Sequence, residues 1–289
     1  MRGFVRVRRI ASAVVAASVI IVGLTDASAA VPTSTSVLMR KATKEFLSGD
    51  FAAASPMFYE LLKRDLTYPQ LREVLVSLGE STLRESKLAE AESVAVQAGQ
   101  RLTDESGLER IGFLKGEIYY FSGRIDRALE EFLTFLEVNP ESPRVNDVIA
   151  RLLVMDENGD FDRVPLRGYS FAEFLWFANM PDSALTVLGT LLSAFPDAQI
   201  ADDALMRKGD ILNAQKRFSE AVAEYDSLEA RFPESHLVPV CKLKTAEIYL
   251  RQLKEEERAI TEYEEIVTGF PETSFAVEAR SLLQGLRKE

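Results

Sequence analysis

The sequence has few of the residues that carry chemistry or covalent cross-links. Among 289 residues it has one cysteine, Cys241, and one histidine, His236. A single thiol cannot form an internal disulfide, and the apolar run around Cys241 favours a small buried residue. A lone histidine gives no catalytic or metal-binding constellation, and no phosphate loop, dinucleotide fingerprint or Gly-x-Ser-x-Gly motif is present. We therefore predict no catalysis, no cofactor and no metal.

Basic charge is also in deficit, with 34 lysines and arginines against 45 aspartates and glutamates and a formal charge of −11. Residues 1–29 hold four arginines and one aspartate, so their removal would take the charge to −14. Nucleic acids and anionic membrane surfaces both require a basic footprint, and we expect neither as a partner.

Long apolar runs are absent after the first residues. Arg2, Arg6, Arg8 and Arg9 precede an uncharged apolar run from Ile10 to Leu24, and small residues follow up to Ala30. This order is typical of a secretory signal peptide, and fifteen apolar residues are short for a bilayer span of roughly 20. We predict a signal peptide over residues 1–29, no lipid-bearing cysteine, and a periplasmic or secreted protein. An uncleaved anchor is the alternative.

One acidic loop invites a calcium interpretation, because acidic residues alternate between Asp156 and Asp162 as in an EF-hand loop. Phe161 stands where that loop needs glycine, and Arg167 stands where it needs a closing glutamate. A solvated loop without calcium is the stronger prediction.

A spacing of small and large residues repeats along the chain. A small residue precedes an alanine by twelve positions, for example at Gly116 and Ala128, and the last pair is one residue longer. A large apolar residue stands four positions later in five cases, and a proline eight further in four. The pairs are Ala42 and Ala54, Gly79 and Ala91, Gly116 and Ala128, Ala172 and Ala184, Gly209 and Ala221, Ala246 and Ala259; the large residues are Phe58, Phe132, Leu188, Tyr225 and Tyr263; the prolines are Pro140, Pro196, Pro233 and Pro271.

This pattern resembles the tetratricopeptide repeat (TPR), in which each repeat is a helix–turn–helix. We expect positions 8 and 20 to bring the two helices of a repeat together, glycine to form the turn, and proline to end the second helix. The resemblance implies an all-α solenoid, wound as a right-handed superhelix, of about six repeats with one inserted helix and a C-terminal capping helix.

The repeat period predicts the following boundaries. A signal peptide covers 1–29, and an N-terminal block covers 30–142 with repeats at 35–68, 72–105 and 109–142. An inserted helix and acidic loop cover 143–164. A C-terminal block covers 165–289 with repeats at 165–198, 202–235 and 239–273 and a capping helix at 274–289. The C-terminal block is similar to repeats of bacterial envelope proteins such as the Tol-Pal coordinator.

In the family, one stripe of each first helix lines a concave groove, and this stripe predicts the binding residues. It carries acids at Glu80, Glu117, Glu173, Asp210 and Glu247 and aromatic residues at Tyr120, Phe121, Trp176 and Phe177. Free acids and aromatic anchors suit a basic or aromatic-bearing protein segment. The competing interpretation is that the acids are ordinary surface residues and the aromatic residues pack between repeats.

These observations predict a non-catalytic protein-interaction scaffold of the bacterial cell envelope. The alternative is an accessory subunit of an envelope hydrolase or of an outer-membrane assembly machine, held at the membrane by an uncleaved signal. If the acids lie free in the groove, reversing Glu117 and Glu173 to lysine should leave stability nearly unchanged.

Overall fold

The computed structural model describes residues 34–286, and every regular element within them is helical. The predicted signal peptide lies outside the described residues. The helices are α1 (Thr35–Leu47), α2 (Phe51–Leu61), α3 (Tyr68–Arg84), α4 (Leu88–Arg101), α5 (Glu105–Phe121), α6 (Ile125–Val138), α7 (Val145–Glu157), α8 (Val164–Phe177), α9 (Pro181–Ala194), α10 (Ala201–Ala214), α11 (Phe218–Arg231), α12 (Val238–Ile248), α13 (Glu256–Gly269) and α14 (Ser274–Leu286).

Twelve of these helices form six hairpins, each made of two consecutive helices that pack closely together. The pairs are α1 with α2, α3 with α4, α5 with α6, α8 with α9, α10 with α11 and α12 with α13. The second helix of each hairpin packs on the first helix of the next, except that α7 follows α6. The helix α14 packs on α13 and α12 at the end of the array. This arrangement is the predicted all-α solenoid.

Proline ends the second helices as the sequence predicts. The helices α6, α9, α11 and α13 each end two residues before Pro140, Pro196, Pro233 and Pro271 respectively. The residue before a proline avoids helical geometry, which stops the helix there. The next helix then begins near a serine or threonine: the Ser235 hydroxyl, for instance, accepts a hydrogen bond of 3.1 Å from the Leu237 backbone N–H.

The turns within the hairpins use left-handed backbone geometry. Gly49 and Gly123 have φ angles of +82° and +70°, as predicted for glycines that end a helix. Ser86, Asn179 and Lys216 adopt the same geometry without glycine, with φ angles of 64°, 59° and 62°. The turn is therefore kept by the hairpin even where the residue type does not favour it.

The aromatic ring at position 24 packs against the small residue at position 8. A Cβ atom added to Gly116 would lie 2.3 Å from the Phe132 ring, and one added to Gly209 would lie 2.3 Å from the Tyr225 ring. The small residue at position 8 therefore makes room for this ring. Ala128 and Ala221 at position 20 are fully buried. That positions 8 and 20 bring the two helices together stays a prediction.

The helix α7 lies where the sequence predicts an extra helix, and it does not separate the hairpins on either side. Val148 and Met155 of α7 are buried, whereas Ile149 and Leu153 are exposed. The helix α5 packs directly on α8 across the insert. From Thr35 onward the chain is one compact unit, so the array continues past the insert. The division into two three-repeat blocks stays a prediction.

Candidate functional site

The first helices of the central hairpins enclose a cavity that α7 helps to line. This cavity has a volume of about 490 Å³ and is lined by residues of α3, α5, α7, α8 and α10. Glu80, Glu117, Glu173 and Phe177 of the predicted binding stripe are among its lining residues. The inner stripe of the repeats therefore does face a groove, and the inserted helix shares that groove.

The acids in the middle of the stripe are not free. Glu117 accepts hydrogen bonds from Arg151, at 2.8 Å from Nε and 3.2 Å from Nη2. Glu173 accepts from Arg151 Nη1 at 2.5 Å, from Arg207 Nη2 at 2.5 Å and from the Tyr120 hydroxyl at 2.6 Å. Only 8% of Glu117 and 5% of Glu173 is exposed to solvent. These two carboxylates form buried ion pairs with arginines on α7 and α10.

The same pairing continues toward the C-terminus. Asp210 accepts hydrogen bonds from Lys244 Nζ at 2.5 Å and from the Tyr225 hydroxyl at 2.7 Å. Glu247 lies 3.6 Å from Arg251 in an exposed pair one helical turn apart. Within residues 34–286, Glu80 alone of the five acids has no cation within 4.0 Å.

The prediction of a free acidic ladder was therefore wrong at Glu117, Glu173 and Asp210, and the expectation that reversing Glu117 and Glu173 leaves stability nearly unchanged loses its premise. That the stripe binds a partner stays a prediction. A glutamate beside a guanidinium in a buried site holds a structural charge, and removing one partner leaves the other unpaired. The repeat pattern does not predict the pairing of Arg151 with Glu117 and Glu173, because Arg151 lies in the inserted helix, outside the repeat register. Arg207 had a detectable signal, since it lies three residues before Asp210 on one helix.

Burial and nearby arginines act in opposite directions on the pKa of Glu173. Burial alone raises the pKa of this carboxyl, but the attraction of Arg151 and Arg207 outweighs it and holds the pKa below its usual value. In the same cavity, burial first and then the charges of Asp202 and Glu173 raise the pKa of Asp203 to about 7. Asp203 is thus a carboxyl of the cavity that changes charge near neutral pH.

The predicted aromatic anchors divide into two pairs. Tyr120 and Phe121 are buried, with 0% and 2% exposed, and they pack in the core as the competing interpretation expects. Trp176 and Phe177 are half-buried at the C-terminal end of α8. The Phe177 ring carries the guanidinium of Arg84 at 3.7 Å from its centroid. Of these four residues, only Trp176 and Phe177 present aromatic surface to a partner.

The described residues form no metal-binding arrangement. His236 is exposed and Cys241 is buried, and burial raises the pKa of the Cys241 thiol to about 12. Within residues 34–286, no three histidine, cysteine, aspartate or glutamate side chains lie close enough to hold a metal ion. In the acidic loop, Asp160 accepts a hydrogen bond of 3.0 Å from the Gln199 backbone N–H. Over the described part of the chain, no helix is both long and apolar enough to span a bilayer.

Comparison with known proteins gives the family. Models of the tetratricopeptide repeat match residues 111–142 and residues 169–236. The chain contains tetratricopeptide repeats. The first match covers the α5–α6 hairpin, and the second covers the α8–α9 and α10–α11 hairpins. TPR modules bind protein partners and are generally non-catalytic, so the matches support a protein-interaction scaffold.

Several solved structures share the TPR fold at low sequence identity. A TPR protein from Parabacteroides merdae is 20% identical over 86% of this chain and 97% of that chain, with a TM-score of 0.36. PilF of Pseudomonas aeruginosa is 12% identical over 86% and 96% of the two chains, with a TM-score of 0.33. The TPR domain of P58(IPK) is 18% identical over 88% of this chain and 66% of that chain, with a TM-score of 0.35. No curated protein matches the chain. The similarity to the Tol-Pal coordinator stays a prediction.

Proposed function

We propose that this TPR chain is a non-catalytic scaffold of the bacterial cell envelope that holds segments of partner proteins in its groove. The observation that carries the proposal is the cavity of about 490 Å³ on the inner face, bounded by five helices. The groove has room for an extended segment of another protein, and TPR modules bind such partners.

The groove offers two half-buried aromatic rings as anchors: Phe177 lines this cavity, and Trp176 lines the cavity that adjoins it. Aromatic side chains at the centre of an interface contribute a large share of binding energy, because they bury much apolar area at a small entropic cost. The stripe acids are not part of this proposal, since Glu117, Glu173 and Asp210 already have internal partners. These acids therefore do not determine which charge the partner should carry.

The envelope location is proposed from the N-terminal sequence, in which a basic segment, an apolar run and small residues follow one another. An exported scaffold without disulfides is stabilised by its helical core alone. Its partners are proteins of the same compartment.

Capture of envelope proteins by the purified chain, residues 30–289, tests the proposal. We expect Trp176→Ala to lose partners that the parent chain retains on a column, because it removes an anchor from the groove. Phe171→Ala is the matched control, since Phe171 is a 44% exposed aromatic residue on the same helix that lines neither cavity around Trp176 and Phe177. Equal capture by both variants and the parent would contradict binding in the groove.

A further inference from the structure

A second cavity lies beside the first, between the N-terminal hairpins and the end of α8. It has a volume of about 700 Å³, and its lining includes Phe51 from the start of α2, Arg84 from the end of α3, and Trp176 and Phe177 from α8. Residues far apart in the sequence thus meet here: the Arg84 Nη1 group approaches the Phe177 carbonyl oxygen to 3.4 Å.

The lining of this cavity is positively charged, although the chain as a whole is acidic. Arg84, Arg151 and Arg207 line it, and Glu173 is its single acidic residue. The Glu173 carboxylate is already shared between Arg151 and Arg207 and also accepts the Tyr120 hydroxyl. Among the charged side chains that line the cavity three are positive and one is negative, but Arg151 is also paired with Glu117 and Arg207 approaches Asp210, so the unbalanced positive charge is that of Arg84.

Of the three arginines that line this cavity, Arg84 alone has no anion partner among the described residues. Within residues 34–286 no carboxylate lies within 4.0 Å of its guanidinium, and its Nε has no hydrogen-bond acceptor. The guanidinium stacks on the Phe177 ring at 3.7 Å and lies 6.0 Å from the centroid of the Phe51 ring. Stacking holds the plane of the group, and a held guanidinium presents paired N–H donors that match the two oxygens of a carboxylate.

The nearest acid on the same helix does not cancel this charge. Glu80 precedes Arg84 by one helical turn, but it makes no ion pair with it and lines the first cavity instead of the second. Glu80 and Arg84 therefore do not form the ion pair that is common between residues four apart on a helix, and the Arg84 side chain packs on the aromatic rings instead.

We propose that the second cavity binds a carboxylate group of a partner segment, the side chain of an aspartate or glutamate, against Arg84. The inference rests on the proposed function and gives the partner the opposite charge from the one that the sequence predicts. The ring surfaces of Trp176 and Phe177 accommodate an apolar neighbour of that carboxylate in the partner segment. A C-terminal carboxylate has the same chemistry, and the experiment separates the two sources.

The only tryptophan of the chain, Trp176, lines this cavity and reports on its occupation through its fluorescence. The probe is the blocked peptide acetyl-Gly-Phe-Glu-Gly-Glu-Phe-Gly-amide, which contains no tryptophan. Three twins accompany it: one with lysine for glutamate, one with glutamine for glutamate, and the glutamine peptide with a free C-terminal carboxylate. We expect a saturable change in Trp176 emission with the glutamate peptide, weakened as salt screens the charges.

Two variants remove the proposed attraction in different ways. Arg84→Gln should weaken the glutamate peptide about tenfold or more, the scale of one lost charge-assisted contact. Asn179→Asp should weaken it as well, because Asn179 lines the cavity and a carboxylate there repels the ligand. Arg127→Gln is the control: Arg127 is exposed on α6 away from the cavity, and its loss should leave binding unchanged.

The inference is overturned if the lysine peptide binds as tightly as the glutamate peptide, or if both variants bind like the parent. Binding of the C-terminal carboxylate twin alone would overturn the side-chain source. Capture from envelope extract distinguishes failure of this inference from failure of the proposed scaffold function. Partners that are retained equally by Arg84→Gln and the parent, but lost by Trp176→Ala, would end this inference and leave the scaffold function in place.

Discussion

At Glu173 the inner surface of the solenoid holds a carboxylate that solvent hardly reaches. Two arginines and a tyrosine hydroxyl surround it, at 2.5 to 2.6 Å. In a site of low polarity, these partners replace the water that the charge has lost. A residue that the sequence places in a binding stripe is thus a structural centre, and its neighbours decide its role.

Replacing Glu173 by glutamine should lower the free energy of unfolding by about 3–5 kcal/mol, as for other buried pairs that lose one partner. Urea unfolding near neutral pH measures this, with the exposed Glu130→Gln on α6 as the control. The folded-state pKa of Glu173 is lowered, so its contribution is complete above the usual pKa of about 4.3 and is lost as the pH falls below it. The difference in the free energy of unfolding between the variant and the parent should therefore become smaller in acid. An unchanged midpoint at pH 7 would show that the pairs are not structural.

Asp203 gives the opposite dependence on pH, because burial raises the pKa of its carboxyl to about 7. The folded state then holds a proton that the unfolded chain releases near pH 4, so the parent loses stability as the pH rises from about 4 to about 7. Asp203→Asn should be more stable than the parent at pH 8 by about 1–2 kcal/mol, allowing for partial solvent access, and equal to it near pH 4. Thermal melts at the two pH values test this, and a gap that is the same at both would contradict it.

At the scale of the helix, the hairpin is the unit that the sequence predicts best. A small residue, a ring sixteen positions later and a proline eight positions after that ring are local features, so their period marks the hairpins and their ends. The same period does not show which side chains touch, and the closest neighbour of Gly116 and of Gly209 is the ring at position 24. Pairings between hairpins are less visible still, because Arg151 stands outside the repeat.

The protein should be more stable with glycine at position 8 of a repeat than with alanine there, although alanine has the higher helix propensity. Alanine in a helix interior is ordinarily better than glycine by about 1 kcal/mol. In Gly209→Ala, however, the new methyl group would meet the Tyr225 ring at 2.3 Å, and overpacking of this kind costs about 1–3 kcal/mol. Gly189→Ala on α9 is the matched control, since no atom lies within 4 Å of a Cβ there, and it should stabilise. Thermal melts that rank Gly209→Ala above the parent would mean that Tyr225 can move aside.

At the scale of the whole molecule, paired charges run along the inner face from α5 to α12. Glu117, Arg151, Glu173, Arg207, Asp210 and Lys244 each contact the next, with distances from 2.5 to 3.9 Å. In a solenoid each repeat contacts only its neighbours, so links across several hairpins tie the array together. The sequence predicts the order of the hairpins but not most of these links, because all except the contact of Arg207 with Asp210 join residues from different parts of the chain.

The proposed export is tested by the mass of the protein that leaves the cytoplasm. Small residues before Ala30 and Val31 match the preference of signal peptidase, so the mature chain should begin at one of these two residues. Intact-mass measurement of the chain recovered from the envelope fraction decides this. A recovered chain that still carries Met1 would favour the uncleaved anchor.

Arg151 is the residue through which the insert joins the hairpins on either side, since its guanidinium contacts Glu117 on α5 and Glu173 on α8. In Arg151→Gln, Glu117 loses its only cation within 4.0 Å among the described residues, while Glu173 keeps Arg207 and Tyr120. We expect faster amide hydrogen exchange in α5, α7 and α8, because local opening there no longer breaks the pairs. The amide hydrogens of helices α12 to α14 should exchange as in the parent, since each repeat of a solenoid contacts only its neighbours.

Arg217→Gln is the control, because its ion pair with Glu220 is exposed and joins residues three apart on the chain, and exposed pairs contribute little to stability. Exchange that is unchanged in α5 and α8, or that rises equally along the array, would show that Arg151 does not join them.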